Sequence, residues 1–219
     1  MNYILQNPEM VLRLTMQHFK ISLVAVLASV LIGVPIGILL TRYKSAQGVV
    51  MGIMGVLYTI PSLALFAMLI PLLGLGFKPT LVALILYSQL AIIRNTVSGI
   101  ETIDANIIEA ALGMGMNGRN LLFMVELPLG LPVIMAGVRM ITGMAIGVAT
   151  IASYIGAGGL GDLIFLGMFT VDTNIILAGA IPICVMALLA DHLLVRVQRR
   201  LERWRENVSP VLSGLVKEG

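Results

Sequence analysis

The chain has 219 residues, of which 58% are hydrophobic and only 11% charged, with a formal net charge of +3. Soluble domains carry roughly 25% charged residues, so the composition excludes an ordinary soluble enzyme and points to one integral membrane domain. In such a chain basic residues mark the cytoplasmic side, which excludes nucleic acid as a partner.

The first twenty residues, MNYILQNPEMVLRLTMQHFK, mix polar and apolar side chains. They lack the basic start and small-residue cleavage site of a cleavable signal. Residues 1–18 are expected to form an amphipathic segment lying along the outer surface, with His18 at the interface.

A helix crossing the hydrocarbon core needs about 20 mostly apolar residues. Five stretches qualify, at about 21–41, 49–73, 80–100, 131–154 and 175–195. The fold class is therefore all-α integral membrane, with five transmembrane helices in a domain over 19–198. Gly33, Gly37, Gly52 and Gly55 fall at spacings that let neighbouring helices approach closely. Pro61, followed by Ser62, lies inside the second stretch. Proline removes a backbone donor, so a kink is expected there, lining a pathway or serving packing alone.

A polar segment over 101–128 interrupts the apolar chain. Asp104 is placed to cap a short helix over 105–112. Ala110 and Ala111 make one face of it small, and Gly115 and Gly118 permit a turn. A second helical piece over 120–126 reaches Leu127 and Pro128, where proline ends or bends it. The loop is either a docking helix offering Glu109 to a cytoplasmic partner or an ordinary solvated loop.

Arg139 is a lone charge in the fourth span, expected to snorkel to the inner interface or to pair with Glu126 or Glu101. That span is followed by Gly156-Ala157-Gly158-Gly159-Leu160-Gly161-Asp162. So many glycines cannot continue a lipid-facing helix. The segment is read either as a break lining the pathway, followed by a short helix near 163–169, or as a plain outer loop. Asp162 is expected to act as an N-cap or loop carboxylate. Cys184 reads as a small buried hydrophobe, and His192 as an interface residue. The segment 199–219 is read as a cytoplasmic tail without a core, partly disordered, with Trp204 as an interface anchor.

Orientation follows from charge. Arg42, Lys44, Arg94, Arg119, Arg196, Arg199, Arg200, Arg203 and Arg205 fall on one side of a five-span arrangement, against Arg13, Lys20 and Lys78 on the other. This bias places the N-terminus outside, the C-terminus in the cytoplasm and the 101–128 loop on the cytoplasmic side.

Glu109-Ala110-Ala111, then Gly115, then Val125-Glu126-Leu127-Pro128 resembles the cytoplasmic loop signature of the permease subunits of ABC importers, with Val125 where isoleucine is usual. Further segments resemble the osmoprotectant permeases: Tyr58–Leu65, Ile93–Thr96, Gly113–Met116 and Ile155–Asp162. The methionine permeases share the five-span plan. The resemblance implies a type I ABC importer permease fold that imports glycine betaine, carnitine or choline. It implies a coupling site at Glu109, Ala110, Ala111, Gly113, Gly115 and Met116, docked on two copies of an ATP-binding subunit. It also implies a second permease copy, in a homodimer or heterodimer, and an extracytoplasmic substrate-binding protein. Pro61, Ser62, Gly156, Gly158, Gly159, Gly161 and Asp162 are the pathway or gate candidates. Membrane lipid is the remaining partner, in a bacterial cytoplasmic membrane.

No catalytic residue, metal site or cofactor is expected. The chain carries no glycine-rich loop followed by Lys-Ser/Thr, so ATP is expected to bind a separate chain. Quaternary ammonium groups are bound by aromatic clusters, and the aromatics here are 5% and scattered. Selectivity is therefore expected in the binding protein. A self-contained channel or secondary transporter is the reading from another class. It calls for a polar stripe across the spans, of which the sequence offers little.

Overall fold

Within an apolar solvent every backbone polar group must be satisfied inside its own segment, which leaves helices as the natural solution for this sequence. The computed structural model describes the backbone of residues 2–217 and the side chains of residues 3–203, and all regular structure among them is helical. In chain order the helices are α1 (Asn2–Gln6), α2 (Pro8–Arg42), α3 (Lys44–Thr59), α4 (Ser62–Leu73), α5 (Phe77–Glu101), α6 (Ala105–Gly113) and α7 (Gly118–Leu121). A π-helical turn (Leu122–Glu126) leads into α8 (Leu127–Ala152), and a 3₁₀ turn (Ser153–Ile155) ends it. Two helices follow, α9 (Gly161–Thr170) and α10 (Thr173–Lys217).

Four of the helical stretches are long and apolar enough to cross a membrane, at Pro8–Arg42, Phe77–Glu101, Gly118–Ile155 and Thr173–Arg203. A fifth candidate span exists only if α3 and α4 are counted together, and these are bent by 98°. The stretch 49–73 is thus a broken pair rather than one kinked helix. The cause is local: Ile60, preceding Pro61, adopts the extended conformation that proline imposes on its predecessor, at φ −65° and ψ 126°.

α2 also departs from expectation. It starts with Pro8 in its first turn and runs unbroken for 35 residues, about 52 Å at 1.5 Å per residue. Residues 8–18 are the first turns of this helix, not a separate segment along an interface. Val11 and Leu14, spaced to share a face, are buried with Leu160 and Leu163 of the α9 region and Ala178 of α10. His18 on the same face is fully buried, so it is not an interface residue. At the other end of the chain, α10 continues through the basic segment to Lys217. The segment 199–217 is therefore helical and continuous with the last span. The side chain of Trp204 lies outside the described residues. Cys184 is exposed, against the buried hydrophobe expected, because it lies on the outward face of α10.

α5 is the central element, buried along Ala83, Leu84, Ile92, Ile93 and Val97 between α2 and α8. Helices in lipid gain no hydrophobic drive from each other, so they associate by close backbone approach. Gly99 and Gly130 provide it between α5 and α8: a Cβ on Gly99 would lie 2.8 Å from the Gly130 carbonyl oxygen. Gly33 and Gly37 of α2 face Ile92 and Thr96 of α5 in the same manner, whereas Gly52 and Gly55 of α3 meet nothing within the chain. Several buried hydroxyls bond within their own helices, as in Ser29 to Ala25 O at 2.7 Å and Thr96 to Ile92 O at 2.8 Å.

Candidate functional site

The polar segment between α5 and α8 folds as a small, internally satisfied unit. Asp104 caps α6: its carboxylate accepts from the Asn106 amide at 2.9 Å. Asn117 caps α7 in the same way, accepting from the Asn120 amide at 2.9 Å. α6 ends where the Met116 amide donates to Ala111 O at 3.2 Å and the Gly115 amide to Leu112 O at 2.9 Å. This pair of bonds requires a left-handed residue just past the helix end. Gly115 fills that position at φ +83°.

α6 divides its side chains between two faces. Ile107 and Ala111 point inward and are buried against Leu121, Val125 and Leu129. Glu109 and Gly113 are exposed, Ala110 and Met116 half-buried. The outer face adds Leu112, Met114 at 66% exposure and, beyond the turn, Phe123 and Met124. An exposed apolar group around one acidic residue suits contact with another protein. These four apolar residues are missing from the sequence-based site. For Phe123 and Met124, sequence alone could not fix the face, because the turn at Gly115 resets the helical phase.

The next turn is wider than expected. The Leu127 amide donates to Leu122 O, five residues back, so residues 122–126 form a π turn. Pro128 would otherwise clash with the carbonyl four residues before it. The wider turn absorbs that conflict, and α8 continues through Pro128 rather than ending there. The π turn directs Glu126 inward, where its side chain is 4% exposed and forms an ion pair with Arg42 in the last turn of α2. Glu126 is thus committed to Arg42. Arg139, expected to reach Glu126 or Glu101, pairs instead with Asp191 of α10. Both partners of that second pair remain about half exposed on the chain's surface.

The glycine segment lies at the other end of α8, about 39 Å away for 26 residues. Gly156, Gly158 and Gly159 all have positive φ, and the Gly156 and Ala157 amides close the end of α8 on Ser153 O and Ala152 O. The segment seats on α2. The Gly159 amide donates to Gln17 Oε1 at 3.2 Å. A Cβ on Gly159, already strained at φ +91°, would lie 3.0 Å from His18 Nδ1. His18 in turn donates from Nε2 to Ile146 O of α8 at 3.0 Å, while its Nδ1 is buried without a hydrogen-bond partner. The Gly76 amide, from the α4–α5 turn, donates to Ile155 O at 2.9 Å. Gly161 packs on Thr150 and Ser153. Asp162 stands in the first turn of α9 rather than at its N-cap, which is Leu160. Burial raises its carboxyl above the ordinary carboxylate range. Asp162, Gly156 and Gly158 border an open cavity of about 880 Å³ with Arg13, Gln17 and Lys20 of α2.

Pro61 and Ser62 form the break between α3 and α4, away from the glycine segment in sequence but tied to α5. The Tyr87 hydroxyl donates to Ile60 O at 2.5 Å, and its ring meets Tyr58 edge-on with centroids 6.3 Å apart. The site residues thus fall into three places: the α6 turn, the α3–α4 break, and the glycine segment against α2.

The sequence pattern of the family described as "Binding-protein-dependent transport system inner membrane component" matches residues 33–206. The chain is 46% identical over 187 residues to the choline transport system permease protein OpuBB of Bacillus subtilis (strain 168), covering 85% of this chain and 86% of that one. It is 43% identical to the glycine betaine/carnitine/choline transport system permease protein OpuCB of the same organism, covering 92% and 93%. It is 42% identical to the osmoprotectant import permease protein OsmW of Salmonella typhimurium (strain LT2), covering 90% and 94%. Among solved structures, a chain of the inward-facing MetNI methionine ABC transporter superposes with a TM-score of 0.82 at 20% identity, covering 89% of this chain and 98% of that one. That likeness is one of fold.

Proposed function

Because the chain belongs to the family of binding-protein-dependent transport system inner membrane components, we propose that it imports osmoprotectants of the quaternary-amine class, with glycine betaine, carnitine and choline as the substrates to test. It is the membrane permease of an ABC transport system and is not itself catalytic. The names of relatives 42–46% identical over most of the chain support this substrate class.

In this reading α6 and its turn dock on the ATP-binding subunit. The observation that carries it is the division of α6, with Ile107 and Ala111 anchoring it while Glu109, Leu112 and Met114 face outward. Two ATP-binding subunits act on two permease copies, the second copy being identical or similar. ATP closes the pair, α6 moves with it, and access switches from the cytoplasmic to the outer side. The N-terminus lies outside and the C-terminus in the cytoplasm, as the charge bias indicates. An extracytoplasmic binding protein delivers the substrate to the side holding the glycine segment. There Gly156–Asp162 is the gate candidate, and Pro61 and Ser62 line the pathway at the α3–α4 break.

The test is uptake of labelled choline, carnitine, glycine betaine and methionine in cells lacking their own osmoprotectant importers. The permease is supplied with its ATP-binding and binding-protein partners. Uptake of at least one quaternary amine, dependent on the ATP-binding subunit, is expected. Uptake of methionine alone would overturn the substrate class, and uptake without the ATP-binding subunit would favour a self-contained transporter.

A further inference from the structure

The ion pair between Arg42 and Glu126 joins the last turn of α2 to the π turn that leads into α8. Glu126 sits one residue before α8, on the π turn whose Val125, with Leu121 of α7, flanks the buried face of α6. Arg42 is in the last turn of α2. From Arg42, α2 runs back 24 residues to His18, about 36 Å along the axis. There Gln17 and His18 hold Gly159, and His18 holds α8 through Ile146. α2 is therefore tied at one end to the segment following α6 and at the other to the glycine segment. Its middle lies against α5 through Gly33 and Gly37.

We propose that Arg42 and Glu126 are positioning residues for transport, the contact through which displacement of α6 reaches α2 and, along it, the glycine segment. The physical basis is the burial of Glu126. A carboxylate removed from water is costly to separate from its cation. A movement of the π turn therefore carries Arg42 with it rather than breaking the pair. The apolar cluster around Ile107, Leu121 and Val125 passes the movement of α6 to the π turn, because close-packed side chains shift together rather than deform. π turns inside helices are also frequent at functional sites.

The proposal rests on α6 being the docking element, and its test separates the two ideas. The full complex is purified with Glu126→Gln, with Arg42→Gln, with the exchange Arg42→Glu plus Glu126→Arg, and with Gly115→Arg as a docking control. Three quantities are measured: ATP-binding subunit retained, ATP hydrolysed, and substrate transported per ATP. Hydrogen exchange over residues 156–162 is compared with and without a non-hydrolysed ATP analogue. Glu126→Gln and Arg42→Gln are expected to retain the subunit and hydrolyse ATP, to transport about tenfold less per ATP, and to lose the nucleotide-dependent exchange change. The exchanged pair is expected to recover most of the transport. Unchanged transport per ATP in both single variants overturns the proposal. So does loss of subunit retention in them, which would make the pair structural. Should the exchanged pair not assemble, Arg42→Lys, which keeps the charge, is expected to transport at least about threefold better than Arg42→Gln; equal transport by the two overturns the proposal. Full subunit retention by Gly115→Arg would instead count against docking at α6.

Discussion

Tyr87 on α5 donates its hydroxyl to the carbonyl oxygen of Ile60 at 2.5 Å, at the point where α3 gives way to α4. That carbonyl lies at the 98° bend between the two helices. Pro61 explains why the chain breaks, and Tyr87 explains why the break holds one angle. Replacing Tyr87 by Phe keeps the ring contact with Tyr58 and removes the donor. The expected cost is about 1 kcal/mol, read as a lowered thermal midpoint of the purified complex. Transport is expected to fall with it if the bend lines the pathway.

Gly115 and Gly113 are two residues apart and predict opposite outcomes. Gly115 has φ +83°, so Gly115→Ala forces an L side chain into the left-handed region at about 1–2 kcal/mol. Gly113 is helical and a Cβ there meets nothing. Gly113→Ala is expected to leave α6 intact or to strengthen it slightly. Limited proteolysis across residues 112–118 separates the two variants, with faster cleavage expected only for Gly115→Ala.

His18 and Gly159 are expected to be energetically coupled. Gly159→Ala meets both a positive φ and the buried imidazole, and His18→Ala removes that imidazole together with its bond to Ile146 O. Each single variant lowers the thermal midpoint. The double variant is expected to lower it by less than the sum, since truncating His18 makes room for the new methyl. Additive effects would mean that the glycine segment does not seat on α2 in the assembled protein.

Most of the helical plan was legible in the sequence, because apolar runs long enough to span are hard to disguise. Four of the five expected spans lie within single helical stretches, those around 21–41, 80–100, 131–154 and 175–195. The cap Asp104 and the turn at Gly115 carry local chemistry that reads directly. The rest depended on contacts distant in sequence. Nothing near His18 reveals that Ile146, 128 positions on, will accept its proton. The pairing of Arg139 with Asp191 and of Arg42 with Glu126 depends on helix register across the bundle. The π turn was hidden because Pro128 reads as a helix end when its tolerance by a wider turn is not considered.

The Arg139–Asp191 pair joins two membrane helices, α8 and α10. Removing one charge leaves the other unpaired on a candidate membrane span, which is unfavourable. Arg139→Met and Asp191→Met are each expected to lower the amount of folded protein in the membrane. The double replacement is expected to recover it, because neither charge then lacks its partner. Quantitative immunoblotting of membrane fractions reads the outcome.

The outward face of α6 meets the ATP-binding subunit in this account, and site-directed cross-linking tests that most directly. In a Cys184→Ser background, cysteine is placed at Met114 on the outward loop or at Phe169 near the opposite end, both well exposed. Each variant complex is treated with a short thiol-to-amine cross-linker. The account predicts a permease–ATPase product from Met114→Cys and none from Phe169→Cys. A product from Phe169→Cys alone, or none from Met114→Cys in a complex that transports, would contradict it.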